Sequence, residues 1–158
     1  MPGLLKESLL LNKDFREILS FFCDEKVEFM LVGAYALAAH GLPRATGDID
    51  LWIQRSPENA QRVWRALVNF GAPLADLTLA DLQKPGTVVQ IGVEPRRIDI
   101  LTDITAVEFD EAKQDCLAVE IEGLQVPVIG RPHLLRNKSA VGRPQDQADI
   151  AWLKSAEE

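Results

Sequence analysis

Residues 28–53 constrain the fold more than any other stretch of the chain. Glu28-Phe-Met-Leu-Val32 is a short apolar run of strand length. Gly33-Ala34 follows it, then the alanine-rich segment Tyr35 to His40, which Gly41 ends; Asp48-Ile49-Asp50-Leu51-Trp52-Ile53 then reads as a second strand. Residues i and i+2 of a strand point the same way, so Asp48 and Asp50 leave one face side by side while Ile49, Leu51 and Ile53 line the other. Two carboxylates that close repel, and one is driven toward protonation unless a cation lies between them. The pair reads as a divalent-metal site.

A third acid can complete it. Arg97-Ile-Asp-Ile-Leu101 repeats the apolar-Asp-apolar pattern around Asp99. If this strand lies beside the Asp48/Asp50 strand, three carboxylates converge, and hard oxygen donors suit Mg²⁺ or Mn²⁺. The alternative is that these acids only solvate exposed strand faces, although acids among Ile, Leu and Trp are costly when buried alone. Upstream, a glycine at a strand-to-helix turn lets backbone approach a ligand closely. The new helix presents free N–H groups and a partial positive charge suited to phosphate. Alone that turn is a common feature; followed at once by Asp-x-Asp on a strand it is specific.

The combination resembles the nucleotidyltransferase superfamily with its DNA-polymerase-β-like fold, through Gly33, Asp48, Asp50 and Asp99. Arg44 and Thr46, in Arg-Ala-Thr-Gly-Asp-Ile-Asp, look like the branch that includes abortive-infection-type toxins. The run Leu134 to Ile150 is similar to that branch's closing motif, with Lys138, Arg143, Asp146 and Asp149 on its polar positions. The resemblance spans roughly residues 28 to 153. It implies a minimal nucleotidyltransferase fold that moves NMP from an NTP to a hydroxyl of an RNA (tRNA, for example), a protein or a small molecule. Asp48, Asp50 and Asp99 would hold Mg²⁺ or Mn²⁺, and Asp99 would also help deprotonate the incoming hydroxyl. Gly33 and Ala34 would contact phosphates, with Lys138 or Arg143 facing the leaving pyrophosphate. Arg44 and Thr46 would orient the acids, or Arg44 would simply pair with Asp48. The family's second turn residue is often Ser; Ala34 keeps the N–H and loses a hydroxyl donor. A second reading follows: a weak or inactive nucleotide- or partner-binding module, such as one half of a toxin–antitoxin pair.

The remaining sequence agrees with one domain of α/β (α+β) class, a mixed sheet flanked by helices. At 158 residues, 47% hydrophobic and 26% charged, the chain can bury a real core. A net charge of −7 argues against a generic nucleic-acid surface. No apolar run approaches a membrane span and the N-terminus lacks a signal-peptide layout, so the expectation is cytoplasmic with no membrane partner. Cys23 and Cys116 read as reduced structural thiols, and His40 and His133 as helix-end or surface groups. Arg131, Arg136, Lys138 and Arg143 cluster: the first two read as surface, while Lys138 and Arg143 either cradle a triphosphate or line a solvated helix face. Asp146 and Asp149 either close the site or pair with Arg143, with the structural role preferred for Asp149.

Asn12 caps a helix carrying Phe15, Ile18, Leu19 and Phe22. Ser56-Pro57 opens another, with Ala60, Val63, Trp64, Leu67 and Val68 as its apolar stripe and Gly71 as its stop. Residues 72–86 read as a loop with one helical turn. Strands follow at Thr87–Gly92, Arg97–Leu101, Cys116–Ile121 and Leu124–Ile129, with a short helix at Phe109–Gln114. Pro132 starts a helix, and Pro144 restarts one with Ala148, Ile150, Ala151 and Leu153 as its apolar positions.

Overall fold

A computed structural model describes residues 11–42 and 47–155. Its elements in chain order are α1 (Lys13–Asp24), β1 (Phe29–Val32), α2 (Gly33–Ala39), β2 (Ile49–Ile53), α3 (Pro57–Phe70), β3 (Val88–Ile91), β4 (Ile98–Leu101), α4 (Phe109–Gln114), β5 (Leu117–Ile121), β6 (Leu124–Val128), α5 (Arg131–Val141) and α6 (Gln147–Ser155). Short 3₁₀ turns at Asp81–Gln83 and Pro144–Asp146 complete the described set. Arg44 and Thr46 lie outside the described residues.

The strands form one sheet in the order β3-β4-β2-β1-β6-β5. β2 runs parallel to β4 and antiparallel to β1, and β1 runs parallel to β6. The sheet is therefore mixed, flanked by helices, as the sequence predicts. β3 and β5 form antiparallel edges through hairpin partners β4 and β6. All four residues of β1 are buried, so its run is continuously apolar rather than alternating.

Local chemistry explains the helices. Asn12 accepts the Phe15 N–H, and Phe15, Ile18, Leu19 and Phe22 are buried at helical spacing in α1. Ser56 caps α3 through the Asn59 N–H, Pro57 opens it, and Gly71 closes it at φ 90°. Two stripes differ from the sequence reading. In α3 the buried face is Asn59, Ala60, Val63, Ala66 and Leu67, while Val68 is 54% exposed and Trp64 half-buried. In α6 the buried residues are Asp149, Ile150 and Leu153, whereas Ala148 and Ala151 face outward. In both helices a polar residue takes a core position because a buried partner is there to receive it.

Candidate active site

The site forms where β2 and β4 lie side by side. Their parallel register sets Asp50 directly against Asp99 and Trp52 against Leu101. The apolar residues between them, Ile49, Leu51, Ile98 and Ile100, are buried and anchor both strands in the core. Alternation thus sends the acids to the opposite face.

Asp50 carries the strained electrostatics. Burial, then the charges of Asp99 and Asp48, push its carboxyl up to about 7, with Arg97 opposing; Asp50 and Asp99 lie within hydrogen-bonding reach. Asp50 also presses on the β1–α2 turn. Gly33 adopts φ +70°, and a Cβ there would collide with the Asp50 carboxylate. Only glycine satisfies both the backbone angle and the approach. Ala34, beside it, is half-buried.

Arg97 is absent from the residues that the sequence singles out, yet it organises the acids. Its Nε lies 2.7 Å from Asp99 Oδ1 and its Nη2 3.1 Å from Asp99 Oδ2, a bidentate pair. Nη2 is also 3.3 Å from Asp48 Oδ2, and the Arg97 backbone N–H donates to Asp48 Oδ1 at 3.0 Å. Glu94 adds a third carboxylate at 2.9 Å from Nη1. Hydrogen bonding to Asp99 raises the guanidinium's pKa further, so it stays charged. The available signal was the i−2 spacing from Asp99, which puts Arg97 on the acids' face.

Across a cleft of about 270 Å³, Gly33 and Asp50 face Lys138, Arg143 and Asp146 of the α5–α6 corner. Lys138 is buried, with Nζ 3.2 Å from Asp146 and 3.4 Å from Asp149, both buried as well. Arg143 is more exposed and holds Asp146 Oδ2 at 2.8 Å. Burial works against ionising Asp146, but hydrogen bonds from Arg143 and Lys138 hold its carboxyl below the ordinary value. Asp50 contributes to the field that raises Arg143's pKa, behind the larger effect of Asp146. The structure therefore gathers Gly33, Asp50, Lys138 and Arg143 around one cleft, with Asp48 and Asp99 beside Asp50.

Two other sequence expectations are corrected. Arg131 is not a free surface group: its guanidinium stacks 4.1 Å over the Trp152 ring, with Nε and Nη2 buried. His133 is buried, with Nε2 3.3 Å from Glu111. His40 caps the end of α2, as the sequence reading has it. Its Nε2 lies 2.7 Å from the Ile129 carbonyl, and burial holds its pKa low, partly countered by that hydrogen bond. Arg136 does sit at the surface, paired with Glu111 at 2.8 Å.

Among the described residues, no group of three or more His, Cys, Asp or Glu side chains is arranged to hold a metal ion. Asp48 and Asp99 are turned onto Arg97 instead. The donor chemistry nevertheless fits a hard divalent cation, because Asp50 is buried against two like charges whose repulsion such an ion relieves.

No protein-family model matches the chain, and no curated protein matches it. Solved structures do. A proposed nucleotidyltransferase from Thermotoga maritima superposes with a TM-score of 0.59 at 18% identity, covering 89% of this chain and 91% of the other. The lincosamide antibiotic adenylyltransferase LnuA, with lincomycin bound, also gives 0.59 at 18% identity, covering 92% and 98%. ANT(2″)-Ia in complex with adenylyl-2″-tobramycin gives 0.59 at 19% identity, covering 90% and 86%. At these identities the likeness establishes the fold: this chain has the nucleotidyltransferase fold over nearly all its length.

Proposed function

We propose that this protein is a metal-dependent nucleotidyltransferase that moves NMP from an NTP to a hydroxyl. The observation that carries the reading is the β2–β4 register, which sets Asp50 against Asp99 with Gly33 backbone pressed onto the Asp50 carboxylate. An inert sheet has no physical use for facing, half-desolvated acids. The nucleotidyltransferase and adenylyltransferase neighbours support the same reaction class.

Asp48, Asp50 and Asp99 would hold Mg²⁺ or Mn²⁺, which supplies the charge that lets phosphate oxygens approach three acids. Arg97, which pairs with Asp48 and Asp99, would share those two acids with the ion. The Gly33 and Ala34 N–H groups line the phosphate approach. Lys138 and Arg143 face the same cleft and offset charge that develops on pyrophosphate as the bond to the α-phosphorus breaks. Asp99 takes up the proton of the attacking hydroxyl. Arg44 and Thr46, outside the described residues, are assigned by resemblance alone: they would orient the acids, or Arg44 would pair with Asp48.

A second reading rests on the same pairs. Arg97 bridges Asp48 and Asp99, and Lys138 and Arg143 are engaged by Asp146. A site whose charges satisfy one another can bind nucleotide or a partner, a cognate toxin or antitoxin for instance, without catalysis. Label transfer separates the two. The protein is incubated with each α-³²P-NTP, Mg²⁺ or Mn²⁺, total RNA, lysate protein and small-molecule extract, beside Asp48→Asn/Asp50→Asn. Label lost in the double variant supports the transferase. No transfer by a folded, metal-binding protein supports the binding module.

A further inference from the structure

Resting on the transferase reading, we infer that the NTP is a guanine nucleotide whose base is read by Asp103, Thr105 and Asn137. The cleft of about 270 Å³ that takes in Gly33, Asp50, Lys138 and Arg143 carries a second set of groups that phosphate chemistry does not use. Ile104, Leu134 and Val141 are apolar walls, and Asp103, Thr105 and Asn137 add hydrogen-bonding groups. Two elements carry them. The turn Ile104–Val107 is closed by a β-bridge and tied to α5 by Asn137 Nδ2, which donates to the Thr105 carbonyl at 3.0 Å. α5 places Leu134, Lys138 and Val141 at i, i+4 and i+7, one stripe along the helix. The volume is close to the lower limit of small-molecule sites, the size of a nucleoside rather than of a folded partner.

The reach fits a nucleotide. Asp103 follows Asp99 by four residues and so stands no more than about 14 Å from it. A nucleotide with its α-phosphate at the acids carries its base toward Asp103 within that span. Val141, 43% exposed, and half-buried Ile104 offer apolar surface that a base plane covers. The hydrogen-bonding groups then choose the base. Asp103 is exposed, and its carboxylate has no partner among the described residues. A carboxylate only accepts, through two oxygens side by side. Asn137 commits an amide hydrogen to Thr105, and its Oδ1 accepts as well. The matching base edge must therefore present adjacent donors. Guanine does, with N1–H beside the N2 amino group, and its O6 can accept from the Thr105 hydroxyl. Adenine and cytosine set a ring acceptor beside their amino group, which would face one Asp103 oxygen and be repelled. Uracil has a single N–H between two carbonyls.

The test titrates the full chain, in Mg²⁺, with GTP carrying an N-methylanthraniloyl fluorophore on its ribose, which leaves the base free. Unlabelled GTP, ITP, XTP, ATP, CTP and UTP then compete. GTP is expected to displace the probe about tenfold or more better than ITP, which lacks the N2 amino group, and than ATP, CTP or UTP. Asp103→Asn should invert the order of GTP and XTP, because the amide donates to the xanthine O2 where the carboxylate accepts from the guanine N2. A merely structural role of Asp103 would not invert that order, and circular dichroism checks that the variant is folded. Equal displacement by all the nucleotides, a preference for ATP, CTP or UTP, or a GTP-to-XTP ratio untouched by Asp103→Asn overturns the inference. Label transfer with each α-³²P-NTP separates its failure from that of the transferase reading. Guanine-selective binding without transfer defeats the transferase and leaves the guanine site. Transfer of AMP, CMP or UMP in preference to GMP defeats the guanine site and leaves the transferase. A protein that binds neither the probe nor any NTP defeats both.

Discussion

Arg97 sits where a divalent ion would be most useful, and its contacts set two opposing demands on the acids. It neutralises Asp48 and Asp99, and it would compete with any cation those acids receive. Arg97→Gln should therefore tighten Mn²⁺ binding several-fold at low ionic strength, read by calorimetry, while lowering the metal-free melting temperature. Unchanged or weaker Mn²⁺ binding would show that the guanidinium helps to build the metal site rather than occupying it. Asp50 makes a second residue-scale prediction. Its carboxyl is raised from 3.8 to about 7 on folding, so the folded chain holds that proton more tightly than the unfolded one. The stability this provides is complete below pH 4 and is lost as pH rises through 7. Asp50→Asn removes the penalty and should stabilise the protein by roughly 1–3 kcal/mol at pH 8, converging with wild type near pH 4. Urea titrations at the two pH values check this, and an equal effect at both would refute the desolvation account. Saturating Mg²⁺ should narrow the gap at pH 8 by stabilising only the wild type.

At the scale of elements, strand–helix junctions hold the acids in place. Asn59, 1% exposed at the start of α3, accepts the Glu28 N–H at 2.7 Å and donates to the Glu28 and Gln54 carbonyls at 3.0 and 2.8 Å. It fastens α3 to the start of β1 and the end of β2 with one side chain. Asn59→Ala takes the partner from the Glu28 N–H and the Gln54 carbonyl, while the Glu28 carbonyl keeps the Gln54 N–H, and should cost about 2–4 kcal/mol. A loss under 1 kcal/mol in a urea melt would mean that water replaces the amide. The α3 position illustrates why element identity is easier to read than an element's buried face. Ser56-Pro57 and Gly71 announce the helix unaided, because capping and breaking are local. That Asn59 is buried and Val68 exposed follows from what α3 packs against, namely α1 and the Asp81–Gln83 turn, and from the Glu28 and Gln54 backbone that Asn59 holds.

Across the whole molecule, the α5–α6 corner closes the site from the far side of the cleft. Lys138 offsets two buried carboxylates there, so Lys138→Met should leave Asp146 with Arg143 alone and cost about 3–5 kcal/mol. Full stability in the variant would show the triad to be dispensable, and any lost activity could then be assigned to substrate contact. The sequence by itself determined the order of strands and helices, the Asn12 and Ser56 caps, and the strand-to-helix turn at Gly33. These rest on periodicity, capping and backbone freedom, which act over a few residues. Only the tertiary structure decided that β4 lies parallel beside β2, bringing Asp99 opposite Asp50 across a separation of 49 residues. It also decided that Arg97 bridges the acids and that Lys138 is buried between Asp146 and Asp149. Burial and charge pairing depend on which distant surface arrives at each side chain, and no local pattern in the chain carries that information.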